Sequence, residues 1–306
     1  MKGVVIYMEY QIISDSSCDL EADLKEKYNI EVVPFFVSFD GEKYYKEIEE
    51  IAIRDVYEKM VSNPKQYPKT SLPSVQNYVD TFLPHVKAGR AVICICITTT
   101  LSGSYNSAVN AKEIICEDYP GAKIEVINSY GATVYQRLYA VEAAKMQQAG
   151  YSFEETVNVL LGQMRDTARI FFTVGDLDYL QHGGRIGKVA GIAGSVLNLK
   201  PLITLEGGSI DSSGVARSRK KSMLKTIELL KSYFKDSGER PEDYVFAVGF
   251  GYDRQEGEEY KNMVDEALKE AGAKSMADIV QIGATICVHT GPYAIGTGLV
   301  KRFECC

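Results

Sequence analysis

The longest unbroken apolar run in the chain covers residues 91–97 and reads AVICICI. A short continuous run of this kind, bounded by the polar residues Thr98, Thr99 and Thr100, is typical of a strand buried on both faces. It is far shorter than the ~20 residues of a membrane-spanning helix, so we expect no integral membrane segment. Strands covered on both faces belong to parallel sheets with helices on each side, which favours an α/β fold.

The surrounding pattern supports this interpretation. Short β-like runs at residues 11–14, 31–39 and 123–127 alternate with stretches of helical periodicity, of which Val134, Leu138 and Val141 are an example. Such alternation predicts an N-terminal parallel-sheet α/β domain over residues 1–150. Pro34 indicates an edge or a bulge in the second run. Ser74 is a suitable N-cap for a further helix.

The second half has a different pattern after residues 149–152, which are the best candidate for a domain boundary. At roughly 100–200 residues per domain, a chain of 306 residues fits two domains. Gly207-Gly208 indicates a hairpin, and residues 223–234 and 260–267 indicate two long helices. Further strands are predicted at residues 170–174, 201–205, 244–250, 285–288 and 299–303. The pattern predicts a C-terminal α+β domain over residues 151–306.

Charge and cysteine content exclude several function classes. The chain has 34 basic and 41 acidic residues, a net charge of −7, which works against non-specific binding to nucleic acid. The seven cysteines, an odd number, argue against a disulfide framework, and Cys94 and Cys96 are expected to be core residues. The apolar stretch at the N-terminus is too short for a secretory signal and is closed by the acidic Glu9, so a cytoplasmic location is expected. Without a CxxC, HExxH or glycine-rich phosphate motif, no metal or cofactor is expected.

Hydroxyl-rich segments follow two of the predicted strands, at residues 15–17 and 98–100, and Thr70-Ser71 precedes a predicted helix. In open α/β sheets ligands bind beyond the carboxyl ends of the strands, and hydroxyl groups suit an anionic oxygen ligand. The glycine-flanked His182 and His289 could also donate to a carboxylate. For each of these features taken alone, an ordinary cap or turn is the simpler interpretation.

Two further features have no strong chemical signature. Ser102 lies in the sequence LSGS rather than in a GxSxG nucleophile elbow, so we expect it to cap the following helix. A basic cluster formed by Arg217 and residues 219–221 is typical of a solvated helix start, although it could also dock an acidic partner.

Seven segments occur together in an order that resembles the DegV family of bacterial fatty-acid-binding proteins, which includes the carrier subunits of fatty acid kinase. They cover residues 11 to about 300 and read IISDSSCDL, VVPFFVSFDGEKYY, KTSLPS, ITTTLSGSYNSA, DLDYLQHGGRIG, LNLKPLITLEGGSI and VHTGP. The chain departs from the family where the usual serine pair is Thr98-Thr99 and the usual LSGT is LSGS. Both departures keep the hydroxyl groups.

The resemblance implies a two-domain protein with one long-chain fatty acid in a tunnel between the domains. By the same resemblance, Thr70, Thr98 and His289 would bind the fatty-acid carboxylate, with Ser71 and Thr99 as secondary candidates. These residues correspond to the TS motif, the hydroxyl motif at a strand end and the histidine of VHTGP.

The resemblance also implies that the protein is a carrier without a catalytic residue or a cofactor of its own. It would present the carboxylate to a separate fatty acid kinase subunit, which forms an acyl phosphate for phospholipid synthesis. Arg185 and Arg217 look like the family's basic residues that face this partner.

Two alternatives remain open from the sequence. The chain could be a phosphoryl-handling enzyme of a related fold, in which Asp15 and His182 would be catalytic. It could also be a lipid-sensing regulatory module that binds another protein through the basic cluster at residues 217–221.

Overall fold

A computed structural model describes residues 10–188 and 199–306. The strands are β1 (Tyr10–Asp15), β2 (Glu31–Val33), β3 (Phe36–Ser38), β4 (Tyr45–Lys46), β5 (Lys69–Ser71), β6 (Ala91–Cys96), β7 (Ile124–Asn128), β8 (Arg169–Thr173), β9 (Lys200–Glu206), β10 (Ser209–Ala216), β11 (Tyr244–Phe250), β12 (Asp278–Gln281) and β13 (Ile295–Lys301). The helices are α1 (Ala22–Lys27), α2 (Ile53–Ser62), α3 (Val75–Lys87), α4 (Ser104–Asp118), α5 (Thr133–Gln148), α6 (Phe153–Leu161), α7 (Gln163–Thr167), α8 (Asp178–His182), α9 (Arg219–Ser237), α10 (Arg254–Glu270) and α11 (Ala284–Thr290). The N-terminal residues 1–9 and the first two residues of the segment LNLKPLITLEGGSI, 197 and 198, lie outside the described residues.

The predicted parallel sheet is confirmed, with the strand order β2-β1-β6-β7. Every residue of β6 is buried, as its continuous apolar sequence requires. Cys94 and Cys96 face a core formed with α3 and α4, whereas Ile93 and Ile95 belong to the core that includes α5. The alternation of side chains along β6 therefore supplies both faces of the sheet with apolar residues.

The C-terminal half forms a mixed six-stranded sheet in the order β10-β9-β8-β13-β11-β12, which confirms the α+β prediction. Its pairs are antiparallel except for β11 with β12. Gly207 and Gly208 join β9 to β10 with φ values of +54° and +85°, the positive values that a two-residue hairpin turn needs. Helices α9 and α10 cover one face of this sheet, and the other face is turned toward α5.

Residues 31–39 do not form the single strand that the sequence predicts. The run breaks at Pro34, which has no backbone N–H to donate to a sheet. Its first part, β2, joins the parallel sheet, while its second part, β3, belongs to a small sheet in the order β4-β3-β5. The same small sheet contains Thr70 and Ser71, which lie on β5 rather than in the loop before α3.

The prediction of a strand at residues 285–288 is wrong, because these residues lie within helix α11. A short apolar run fits a buried strand and a buried helix equally well, so its periodicity could not distinguish them. The last strand covers Ile295–Lys301 rather than residues 299–303. By contrast, Ser74 caps α3 as predicted and forms a capping box with Asn77.

Helix α5 lies between the two large sheets and is buried on nearly all sides, with 12 of its 16 residues inaccessible to solvent. It contacts β1 of the parallel sheet as well as β11 and β13 of the mixed sheet. The described strands of the parallel sheet all precede residue 150 and those of the mixed sheet all follow it. The domain division at residues 150 and 151 stays a prediction, since α5 shares its core with both halves.

Candidate functional site

A cavity, partly open to solvent, lies between the mixed sheet and the elements that face it. The wall combines the first turn of α5, helix α11 and the loop that follows β6 with strands of the mixed sheet. The apolar lining residues are Phe35, Ile97, Leu101, Ala132, Val134, Ile170, Phe172, Leu180, Leu205, Ile210, Gly249, Ile282, Ile286, Ala294, Ile295 and Gly296. Such a wall suits an apolar chain.

Polar side chains occupy a small part of this wall, and two of them interact directly. Thr70 Oγ1 and His289 Nε2 are 2.9 Å apart and form a hydrogen bond. Strand β5 places Thr70 opposite Val37 of β3, and His289 lies one residue from the end of α11. The structure therefore brings together two of the three residues predicted to bind the carboxylate. The other polar lining residues are Ser102, Thr133, Arg185, Thr285 and Thr290.

Arg185 lines the cavity close to this pair. Its guanidinium donates to the carbonyl oxygen of Leu101 at 3.2 Å from Nε and 3.0 Å from Nη2, and to that of Gly183 at 2.6 Å from Nη1. Gly183 packs against the imidazole, since a Cβ at this position would lie 2.2 Å from His289 Nδ1. The turn that contains Gly183 and Arg185 thus supports the histidine ring from behind and adds a positive charge beside it.

Burial and the neighbouring charge of Arg185 lower the pKa of His289 from 6.5 to about 4. The imidazole is therefore neutral at pH 7. A neutral imidazole has one donor and one acceptor nitrogen, so it can exchange a hydrogen bond with the Thr70 hydroxyl in either tautomer. The positive charge at this end of the cavity comes from Arg185.

This shifted pKa predicts a loss of stability in acid. The unfolded chain takes up a proton at His289 below pH 6.5, whereas the folded protein does so only near pH 4. The stabilisation present at neutral pH is therefore lost as the pH falls from 6.5 to 4, by about 3 kcal/mol. Urea unfolding from pH 7 to pH 4, compared with a His289→Gln variant, measures this contribution. Parallel pH profiles for the two proteins would contradict the buried neutral histidine.

The remaining predicted carboxylate ligands are not among the residues that line the cavity. Thr98 is fully buried, and its hydroxyl donates to the carbonyl oxygen of Gly208 at 2.8 Å. Thr99 is exposed and accepts a hydrogen bond from Asn128 at 3.0 Å. Ser71 is also exposed. The resemblance assigns the Thr98 hydroxyl to the ligand. In this structure, that hydroxyl instead donates to the carbonyl oxygen of Gly208 at the tip of the β9–β10 hairpin.

The two basic residues predicted to face a partner differ in their surroundings. Arg217 is exposed immediately before α9, whereas Arg185 is half-buried beside the cavity. Arg219, which belongs to the same basic cluster as Arg217, pairs with Glu256, with Nε–Oε1 and Nη2–Oε2 distances of 2.7 and 2.6 Å.

Asp15 and His182, the residues of the enzyme alternative, do not line the cavity. Asp15 is completely buried and accepts hydrogen bonds from the side chains of Ser17, Gln136 and Ser104 and from the amide of Ile97. His182 is exposed, and its ring stacks on Tyr67 with a centroid distance of 3.7 Å. The geometry gives neither residue a substrate-facing position.

Sequence reasoning missed four hydroxyl residues that line the cavity, namely Ser102, Thr133, Thr285 and Thr290. Ser102 accepts a hydrogen bond from the amide of Ser104, although Gly103 occupies the N-cap position of α4. The predicted cap at Ser102 is therefore off by one residue. The incorrect strand prediction at residues 285–288 gave no reason to place Thr285 on a helix face beside His289. No sequence signal distinguishes Thr133 from the other residues of α5.

Two other classes of site are absent from the described part of the chain. Over residues 10–188 and 199–306, no cluster of three or more histidine, cysteine, aspartate or glutamate side chains could hold a metal ion. Across the same ranges, no helix has the length and apolar character needed to cross a bilayer.

Comparison with protein-family models gives a match over nearly the whole chain. The model of the DegV family, whose members are described as uncharacterised proteins, matches residues 9–302. A DegV domain-containing protein from Clostridium perfringens is 31% identical over 294 residues, which cover 95% of this chain and 98% of the relative.

Solved structures with the same fold include two fatty-acid-binding proteins. A stearic acid-binding protein from Eubacterium ventriosum is 44% identical to this chain, with a TM-score of 0.90 and coverage of 96% of this chain and 99% of that one. A fatty-acid-binding DegV family protein from Thermus thermophilus is 26% identical, with a TM-score of 0.84 and coverage of 96% and 100%.

Proposed function

Because the chain belongs to the DegV family, we propose that it binds one long-chain fatty acid in the cavity and is itself a carrier rather than an enzyme. The observation that supports this function best is the composition of the cavity wall. Its surface is mostly apolar, and a threonine, a histidine and an arginine lie close together within it. This arrangement suits a ligand with one anionic end and a long apolar tail. The fatty acids bound by similar proteins have that chemistry.

The energetics are consistent with tight binding. Each buried methylene contributes about 0.8 kcal/mol, so a ~16-carbon chain supplies on the order of 12 kcal/mol before the cost of immobilising the ligand. The acyl chain therefore provides most of the affinity. The head-group contacts mainly fix the orientation of the ligand and discriminate a carboxylate from an uncharged end.

Native mass spectrometry of the purified protein, followed by denaturing extraction, tests the proposed ligand. We expect a co-purified acid of about 14–18 carbons at near one-to-one stoichiometry, because burying this length of chain would slow dissociation during purification. A protein that is isolated empty and does not bind added fatty acids would refute the proposal.

We further propose that Thr70, His289 and Thr98 bind the carboxylate, with Ser71 and Thr99 in secondary positions. The Thr70→Val substitution removes a hydroxyl from the cavity wall while keeping its shape, so we expect about tenfold weaker binding of palmitic acid. Thr98→Val is expected to cost less, about threefold, because its hydroxyl must leave the Gly208 carbonyl to reach a ligand. Titration calorimetry measures both changes. Wild-type affinity in both variants would contradict this head-group assignment.

We propose that the bound carboxylate is presented to a separate ATP-dependent fatty acid kinase subunit. A carboxylate oxygen would attack the γ-phosphorus of ATP and displace ADP, which yields an acyl phosphate. Arg217, which is exposed, and Arg185 would face this partner. We expect Arg217→Ala to reduce acyl phosphate formation, trapped as the hydroxamate, while the affinity for the fatty acid stays within about twofold. A reduced fatty-acid affinity with unchanged turnover by the kinase would refute the assignment of Arg217 to the partner.

A further inference from the structure

Two buried carboxylates lie directly behind the cavity wall. Glu47 accepts hydrogen bonds from the hydroxyl of Thr285 at 2.6 Å, from the amide of the same residue at 3.0 Å, and from the hydroxyl of Ser16. Asp19 accepts a hydrogen bond from the hydroxyl of Thr133. Thr133 and Thr285 both line the cavity. Each carboxylate therefore fixes one hydroxyl of the wall.

Unusual backbone conformations gather around these two carboxylates. Asp19, Ile48 and Thr133 have φ values of +50°, +71° and +46°, in the left-handed region that L-residues rarely adopt. Two of the three are β-branched, for which this region is especially unfavourable. Backbone strain of this kind persists only where the surrounding structure enforces it, and it concentrates at functional sites.

The two carboxylates are costly to bury. Both are almost completely inaccessible to solvent, at 4% for Asp19 and 1% for Glu47, and the hydrogen bonds described above come from neutral hydroxyl and amide groups. Burial raises the pKa of both carboxyl groups, which reflects the unfavourable transfer of their charge from water. Each of them nevertheless accepts a hydrogen bond from a hydroxyl that lines the cavity, which connects it with the site.

Helix α11 connects Glu47 with the head-group end of the cavity. Thr285 and His289 are four residues apart, so they lie on one face of the helix, and both line the cavity. Glu47 holds Thr285 in the first turn, and Thr70 contacts His289 in the last turn. A helix of seven residues held at both ends has little freedom to rotate or slide.

We propose that Glu47 is a positioning residue, which holds helix α11 through Thr285 so that His289 meets the fatty-acid carboxylate beside Thr70. Asp19 holds the first residue of α5 in the same way through Thr133. This inference rests on the function proposed above. The same two carboxylates keep the hydroxyls of Thr133 and Thr285 bonded to the protein, so that the wall beside the acyl chain stays apolar.

The Glu47→Gln variant tests this inference, because glutamine offers one acceptor oxygen in place of two. The measured quantity is the ratio of the dissociation constants for palmitic acid and 1-hexadecanol, which share the chain and differ in the head group. We expect the preference for the acid to fall about tenfold, the scale of one charge-assisted hydrogen bond. The affinity for the alcohol should stay within about twofold, since the apolar wall is unchanged.

Glu142→Gln is the matched control. Glu142 is also a buried carboxylate, at 1% exposure, and it accepts from the amide of Phe303 at 3.1 Å and from Lys145 at 2.7 Å, away from the cavity lining. We expect this variant to keep the wild-type preference for the acid. Equal losses for acid and alcohol in Glu47→Gln would indicate a purely structural role and overturn the inference.

A milder variant, Thr285→Val, covers the case in which Glu47→Gln does not fold. It removes only the hydroxyl donor and should lower the preference for the acid in the same direction by about threefold. An unchanged preference in Thr285→Val would also overturn the inference. If the wild-type protein binds neither ligand, the proposed function itself fails. If wild-type binding is intact but Glu47→Gln and Thr285→Val show no effect, only the positioning role fails.

Discussion

The Gly183→Ala variant is expected to bind palmitic acid about 10- to 100-fold more weakly than the wild-type protein. The added Cβ would lie 2.2 Å from His289 Nδ1 and 3.0 Å from the carbonyl oxygen of Tyr179, so the imidazole has to move. Gly183 has a φ of −73°, which alanine adopts easily, and the effect is therefore steric rather than conformational. Displacement of His289 removes its contacts with Thr70 and with the carboxylate, each worth about 1–3 kcal/mol.

Titration calorimetry with palmitic acid measures this loss, and Gly187→Ala provides the control. Gly187 lies four residues further along the chain, and no atom of residues 10–188 or 199–306 lies within 4 Å of an added Cβ there. We expect its affinity to match that of the wild-type protein. If Gly183→Ala also bound with wild-type affinity, His289 would not be a head-group ligand, and Thr70 and Arg185 would have to bind the carboxylate without it.

Asp15→Ala is expected to lower the free energy of unfolding by on the order of 4 kcal/mol. Asp15 is completely buried, and its two oxygens accept hydrogen bonds from Ser17, Gln136, Ser104 and the amide of Ile97. Alanine leaves the Ile97 amide without its side-chain acceptor and removes one partner from each of the three side chains. Each buried group that loses a partner costs about 1–3 kcal/mol, partly offset by the partners that the side chains keep.

Urea unfolding at pH 7 measures the stability of Asp15→Ala against that of Asp118→Ala. Asp118 is exposed at the end of α4, so its substitution should change stability by no more than about 0.5 kcal/mol. A stable Asp15→Ala protein would refute the structural role assigned to this carboxylate and return the enzyme alternative to consideration.

The parts of the fold that could be predicted are those in which several local signals agree. The apolar run that forms β6 is rich in β-branched residues and is followed by three threonines, which together favour a doubly covered strand, and Gly207-Gly208 is typical of a hairpin turn with positive φ values. Residues 285–288 carry no such restriction, because four apolar residues can be buried in a helix or in a strand. The prediction of one strand at residues 31–39 is wrong for another reason, because the two halves of this run pair with different sheets.

The sequence by itself determined the α/β and α+β halves and, through the family resemblance, the residue types that a carboxylate needs. Only the tertiary structure decided which hydroxyls face the cavity. Thr70 and His289 are 219 positions apart in the chain, and Thr98 is held by a carbonyl 110 positions away. A hydroxyl bonds to whichever donor or acceptor the fold places within about 3 Å, and contacts between distant segments leave no periodic trace in the sequence. The direction of each side chain is therefore a property of the packed molecule.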